Sequence, residues 1–226
     1  MNIHTSHFSS DCRLAENVTG VILAGGKSSR FGKNKALEKI EGMTIIEKVC
    51  EILRPVFSHL LIVTNTPDEY SFLNIPMTGD LIKGLGPIGG VYSGLCAMTT
   101  EAGFFVACDM PFLNRKLICH MVDISPGYDA VVPKIDWMFE PLHALYTKQC
   151  IPAIKSTIDL RKRQIINCLN DIHVKYVSEQ EIRAFDPEIR SFLNINRPDD
   201  IIRIQKEEHS DSGRPFKKDR LHREVI

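Results

Sequence analysis

The chain has 226 residues, which suits one large domain or one domain with small additions. Its 28 Lys and Arg balance 28 Asp and Glu, so no global basic field points to nucleic acid, and any phosphate site must come from local clusters. No apolar run approaches the roughly 18 residues of a membrane span, the opening MNIHTSHFSSDCRLAEN lacks the apolar stretch of a secretory signal, and seven cysteines without a C-x-x-C pair favour reduced thiols and a cytoplasmic setting.

Residues 1–17 read as a loose, polar leader. The apolar run over 18–24 reads as a buried strand. It stops at Gly25 and Gly26, and a loop carrying Lys27, Arg30, Lys33 and Lys35 follows. Glycines let backbone N–H groups approach phosphate oxygens, and the cations offset their charge. Apolar residues at helical spacing predict a helix over 44–53, ended by Arg54 and Pro55. A second continuous strand over 60–63 ends at Thr64 and Asn65, a short helix follows Pro67, and a weak strand over 75–77 precedes Asp80. The glycine-rich stretch 84–90 opens a helix through Met98. A strand over 104–108 then runs into Asp109, and a helix covers 113–122. Strands are expected over 128–132, 142–146 and 174–177, with helices over 148–158 and 161–169. The stretch FLNIN over 192–196 reads as a last strand, followed by a helix from Pro198. From about residue 206 mixed charge and few apolar residues predict a disordered tail, leaving 18–205 as the domain.

The strands at 18–24, 60–63 and 104–108 are apolar throughout, as strands buried on both faces of a parallel sheet are. The fold class is therefore α/β: a doubly wound, mostly parallel (mixed) sheet with helices on both faces. In such sheets ligands sit beyond the carboxyl ends of the strands. Gly25, Gly26, Arg30, Lys35, Asn65, Asp80 and Asp109 all fall there. One glycine loop, two cations and two acids fit a nucleoside triphosphate with a divalent metal, since Mg²⁺ takes one or two carboxylates plus phosphates.

Other readings compete. The P-loop pattern fails: five residues separate Gly26 from Gly32, and Asn34 follows Lys33 where Ser or Thr should stand. The G-x-G-x-x-G match at 84–89 has no strong strand leading into it and holds Pro87, so it reads as a tight turn. Asp109 and Asn65 each serve equally as turn or helix caps, and an exposed loop Asp80 usually does nothing. His143 reads as a strand histidine with its hydrogen bonds met, with a pocket role as the alternative. The basic run Arg161, Lys162 and Arg163 reads as a solvated surface before a phosphate contact.

The stretch VILAGGKSSRFGKNKAL resembles the signature loop of nucleotidyltransferases with an L-A-x-G…R-[MF]-G-x-x-K pattern, and its Leu-Ala-Gly-Gly form is similar to the molybdenum cofactor guanylyltransferases. Further matches follow in order: GPIGG over 86–90, ACDMP over 107–111, EPLHALY over 140–146 and FLNINRP over 192–198. The resemblance spans about residues 18–205 and implies a Rossmann-like nucleotidyltransferase. It implies transfer of GMP from GTP to molybdenum-molybdopterin, with pyrophosphate released and Mg²⁺ as cofactor. It further implies that Leu23, Ala24, Gly25 and Gly26 contact the guanine nucleotide and that Arg30 and Lys35 neutralise its phosphates. Asn65 and Asp80 would hold the nucleoside, Asp109 the nucleotide and Mg²⁺, and Asn194 and Asn196 the molybdopterin. Molybdopterin-handling proteins and molybdoenzymes would be the macromolecular partners. One departure stands out: the residue before the loop lysine is usually Asp and here is Asn34, so the charge around Lys35 should be more positive than usual. A cytidylyl- or sugar-phosphate nucleotidyltransferase is the first alternative, and a non-catalytic nucleotide-binding module the second.

Overall fold

The computed structural model describes residues 14–25, 34–196 and 200. Strand β1 (Ala15–Leu23) lies inside the sheet, flanked on both sides. It pairs in parallel with β4 (Phe57–Val63) on one side and β6 (Ala102–Ala107) on the other. Beyond β4 lies the short parallel β5 (Met77–Thr78). Beyond β6 comes β9 (His143–Thr147), antiparallel to β6, then β7 (Ala130–Ile135), antiparallel to β9, then β10 (Val174–Ser178), parallel to β7. Strand β8 (Met138–Phe139) folds back on β7. A separate hairpin, β2 (Lys39–Ile40) and β3 (Met43–Thr44), turns at Glu41 and Gly42, both with positive φ, as a tight antiparallel turn requires.

Helices cover both faces. On one, α1 (Ile45–Leu53), α3 (Arg115–Asp123) and α5 (Glu179–Phe185) pack over Ile22, Ile62, Phe104, Val106, Val131 and Leu145. On the other, α2 (Pro87–Ala97) and α4 (Ile151–Asp159) pack over Val21, Leu61, Val63, Phe105 and Tyr146. The sheet is thus doubly wound and mostly parallel, as the uniformly apolar strands imply. Local chemistry sets the helix starts. At α1 the Thr44 hydroxyl accepts the Glu47 amide while the Glu47 carboxylate accepts the Thr44 amide. Ser178 and Glu181 repeat this capping box at α5. Gly86, at φ +68°, turns the chain into α2. Gly94 lets α2 lie close to the sheet: a Cβ there would stand 2.7 Å from the Phe105 ring.

Several expectations need correcting. The polar leader gives way to sheet earlier than read, since β1 begins at Ala15. Residues 161–169 are not one helix. Arg161 is left-handed, at φ +58°, and a 3₁₀ helix forms only over Ile165–Asp171. FLNIN is not a strand: a 3₁₀ turn covers Arg190–Phe192 and irregular chain follows. Phe192 and Ile195 explain the misreading, because they enter different clusters, Phe192 beside His143 and Ile195 among Ile40, Ile45 and Phe112. Helix α5 is an addition. The helix expected from Pro198 and the tail beyond 205 lie outside the described residues. Cys50, Cys96, Cys108, Cys150 and Cys168 are free thiols, whereas Cys119 is disulfide-bonded, against the all-thiol expectation.

Candidate active site

The carboxyl ends of β1, β4, β5 and β6 lie side by side, and the sequence-derived polar residues gather along them. Leu23 and Ala24 close β1 within the sheet: the Leu23 carbonyl accepts the Cys108 amide at 3.1 Å, and the Ala24 amide donates to the Val63 carbonyl at 2.9 Å. Those two groups are therefore committed, and the exposed Gly25 comes next. No heavy atom lies within 4 Å of where a Gly25 Cβ would stand. Gly26, Lys27, Arg30 and Lys33 lie outside the described residues.

After β6 the chain delivers Asp109, only 7% exposed. Its carboxylate receives the ammonium of Lys35, from the 3₁₀ turn Lys35–Leu37 that resumes the chain after the loop. The Lys35 ammonium also donates to Asn196 Oδ1 at 3.3 Å, and the Ile195 amide donates to the Asp109 carbonyl at 3.0 Å. Three distant stretches thus meet at one point: the signature loop, the CDMP turn and the FLNIN stretch. The Asn196 amide in turn donates to Asp200 at 2.8 Å. Asn194 lies in the same irregular chain, with its Oδ1 buried and without a hydrogen-bond partner.

Asn65 and Asp80 form a second pair, at the ends of β4 and β5. The Asn65 side-chain amide donates to the Asp80 carboxylate at 2.7 Å, and the Asp80 backbone amide donates back to Asn65 Oδ1 at 3.1 Å. Asn65 is exposed and Asp80 half-buried, so the pair presents a fixed donor–acceptor edge toward solvent.

Burial decides which other groups can take part. The Cys108 thiol is pushed up to about 12, first by burial and next by the Asp109 charge, so it offers no thiolate at neutral pH. His143, on β9, is fully buried between Phe104 and Phe192, and neither ring nitrogen has a hydrogen-bond partner. Burial lowers its pKa to about 3, opposed by the nearby Ser191 backbone, which makes no well-formed hydrogen bond to the ring. It is a neutral core residue whose hydrogen bonds are not met, contrary to expectation. Arg161, Lys162 and Arg163 are exposed, and Arg163 Nη1 donates to the Gly84 carbonyl at 2.6 Å, tying this run to the glycine-rich turn.

Two residues near the site have no signal in the sequence. Glu69 and Tyr70, on the 3₁₀ helix Pro67–Leu73, both accept from the Asn34 side-chain amide. Asn34 therefore faces a carboxylate, and the negative charge missing at position 34 is supplied in space by Glu69. The Asp-to-Asn departure was the available hint, but nothing in the sequence points to position 69.

Among the described residues no group of three His, Cys, Asp or Glu stands close enough to hold a metal by itself. A single carboxylate at a strand end does not fit a resident zinc site. It does fit Mg²⁺, which keeps waters and takes its remaining ligands from substrate phosphates. No helix among the described residues is long and apolar enough to cross a membrane.

Known proteins resemble the chain over most of its length. The model of the MobA-like NTP transferase domain matches residues 20–174. A protein of Pelotomaculum thermopropionicum named "Probable molybdenum cofactor guanylyltransferase" is 36% identical, over 87% of this chain and 96% of its own. The "Molybdenum cofactor guanylyltransferase" of Desulfosudis oleivorans is 37% identical, over 83% and 94% respectively. The crystal structure of molybdopterin-guanine dinucleotide biosynthesis protein A from Archaeoglobus fulgidus superposes with a TM-score of 0.73 at 30% identity, covering 84% of this chain and 97% of that one. With matches this long on both sides, the chain belongs to the molybdenum cofactor guanylyltransferase family of MobA-like NTP transferases, and it is a nucleotidyltransferase.

Proposed function

We propose that the protein transfers GMP from GTP to molybdenum-molybdopterin, yielding the guanine dinucleotide form of the cofactor and pyrophosphate. The observation that carries this reading is the meeting of Lys35, Asp109 and Asn196 at the sheet edge, beside the end of the glycine loop. It joins a cation for phosphate, a carboxylate for metal and a polar group from the last motif.

In the reaction a phosphate oxygen of the pterin attacks the α-phosphorus of GTP. One P–O bond forms, the bond to the β-phosphate bridging oxygen breaks, and that oxygen leaves on pyrophosphate. The nucleophile is already ionised near neutral pH, so no general base is required, in keeping with the neutral, buried state of His143. Catalysis then rests on positioning and on stabilising charge. Lys35, Arg30 and the amides of Gly25 and Gly26 neutralise the departing phosphates. Leu23 and Ala24 form the floor of the nucleotide site, while Asn65 and Asp80 read the nucleoside with their paired edge. Asn194 and Asn196 face the pterin side. Asp109 would hold Mg²⁺, which when bound would screen the phosphate charges. Lys35 and Asp109 pair with each other in the free protein, and in the loaded site Lys35 would turn to phosphate and Asp109 to the metal. GTP and molybdenum-molybdopterin are the substrates, molybdopterin-handling proteins and molybdoenzymes the macromolecular partners, and the cytoplasm the compartment.

The test is pyrophosphate release with GTP, Mg²⁺ and molybdenum-molybdopterin, with CTP, ATP and UTP as controls. Release with GTP alone is expected, and Asp109→Ala should lower it by at least about 100-fold. Release with CTP in preference to GTP, or near-normal turnover of Asp109→Ala at saturating Mg²⁺, would overturn the assignment.

A further inference from the structure

Asn34 begins the turn that carries Lys35, and every polar atom of its side chain is used. Its Oδ1 accepts the Ala36 amide at 3.1 Å, which caps the turn. Its Nδ2 donates to Glu69 Oε2 and, at 2.8 Å, to Tyr70 Oη. Glu69 Oε2 also accepts from Thr66 Oγ1 at 3.2 Å, and the Thr66 amide donates to Thr64 Oγ1 at 3.1 Å. This chain of bonds runs from the residue before Lys35 to the end of β4, where Asn65 pairs with Asp80.

We propose that Asn34 and Glu69 form a latch that positions Lys35 for phosphate transfer, and that the latch requires an amide, not a carboxylate, at position 34. The chemistry gives the reason. An amide offers one acceptor to the turn and two donors to Glu69 and Tyr70. A carboxylate keeps the acceptor but sets a second anionic oxygen against Glu69 with no proton between them, and like charges in contact repel. The turn would then be pushed from Glu69, and the Lys35 ammonium with it, away from Asp109. Glu69 is a positioning residue: it acts through Asn34 and reaches neither the Lys35 ammonium nor Asp109. The latch also ties the phosphate side of the edge to the strand end that bears Asn65.

The consequence for turnover rests on the transfer reading above; the latch itself does not, so two readouts are paired. The first is the acetylation rate of the Lys35 amine, followed by mass spectrometry on the intact, full-length protein. Asn34→Asp is expected to raise it several-fold, and the double variant Asn34→Asp with Glu69→Gln to return it to the original rate, because the glutamine amide then supplies a donor to the new carboxylate. Glu69→Ala, which leaves the turn uncharged, should also raise it, and it decides the matter should Asn34→Asp melt before the assay temperature. The second readout is pyrophosphate release: Asn34→Asp should lower kcat by about 10- to 100-fold while KM for GTP stays within about 3-fold, and the double variant should recover most of kcat. Unchanged Lys35 reactivity in Glu69→Ala, or a double variant no better than Asn34→Asp, would overturn the latch. An unsubstituted protein that releases no pyrophosphate would overturn the transfer reading alone, with the acetylation series still deciding the latch.

Discussion

His143 makes a prediction that separates core chemistry from catalysis. It sits fully buried on β9, with its ring edge-on to Phe104 at 5.3 Å and tilted against Phe192 at 4.6 Å. Neither nitrogen has a partner, and its pKa falls from 6.5 to about 3 because burial disfavours the charged form. Between those two values the unfolded chain binds a proton that the folded chain refuses. Stability is therefore full above the unfolded pKa and is lost as pH falls. From about pH 8 to about pH 5 the loss from this one ring works out at roughly 2 kcal/mol. His143→Leu removes it and also removes an unsatisfied buried imidazole, which costs about 1–3 kcal/mol at any pH. Urea unfolding of both proteins at the two pH values is the assay. The leucine variant should be the more stable at both, and its loss on acidification should be smaller by roughly 2 kcal/mol. His120 is also shifted down by burial and supplies part of the pH dependence that both proteins share. Identical pH dependence in the two proteins would refute the reasoning, because it would mean that His143 accepts a proton in the folded state.

Lys35→Ala should cost at least about 100-fold in pyrophosphate release with circular dichroism unchanged, and unaltered kinetics would remove Lys35 from the phosphate clamp. Asn65→Ala and Asp80→Ala break a reciprocal pair that, on the proposed reading, would bind the nucleoside in ground and transition states alike. Each should raise KM for GTP by about 10-fold with little change in kcat, checked by initial-rate kinetics with GTP and CTP in competition. Gly94→Val drives a branched side chain of α2 toward Phe105, already 2.7 Å from the Cβ position, and Val21, at 3.1 Å. It should cost at least about 2 kcal/mol, read as a drop in Tm of roughly 4–8 °C.

Much of the fold was legible because its signals are local. Uniformly apolar strands announced a sheet covered on both faces, and apolar residues at helical spacing marked α1. Lys35 and Asp109 are 74 positions apart, yet their meeting was readable, because each follows a strand of one parallel sheet and such strands share an edge. What stayed hidden has no local code. The latch between Asn34 and Glu69 joins a loop to a 3₁₀ helix with no periodicity to mark either. The FLNIN stretch carries strand-like alternation, but its apolar residues serve two clusters and its Ile195 amide donates to the Asp109 carbonyl rather than to a strand. The left-handed Arg161 breaks a stretch that reads as helix, and a non-glycine residue there leaves no sign in composition.

Strand β9 runs against the strands beside it, so its first residue, not its last, stands at the edge that holds Asp109. The chain reaches it from β7 through a hairpin at Asp136 and Trp137, and the Leu142 carbonyl then accepts the Ala107 amide at 3.2 Å to seal the join with β6. Every parallel neighbour at this edge must be entered by a crossover that spans the sheet, whose length the layers dictate. The hairpin is under no such constraint. Residues gained or lost at this turn would shift only the short pairing of β8 on β7 and leave the register of β9 on β6 as it is. The rim on the side away from Asn65 is therefore the less constrained half, while the half that carries Gly25, Asn65 and Asp80 is held by the parallel strands.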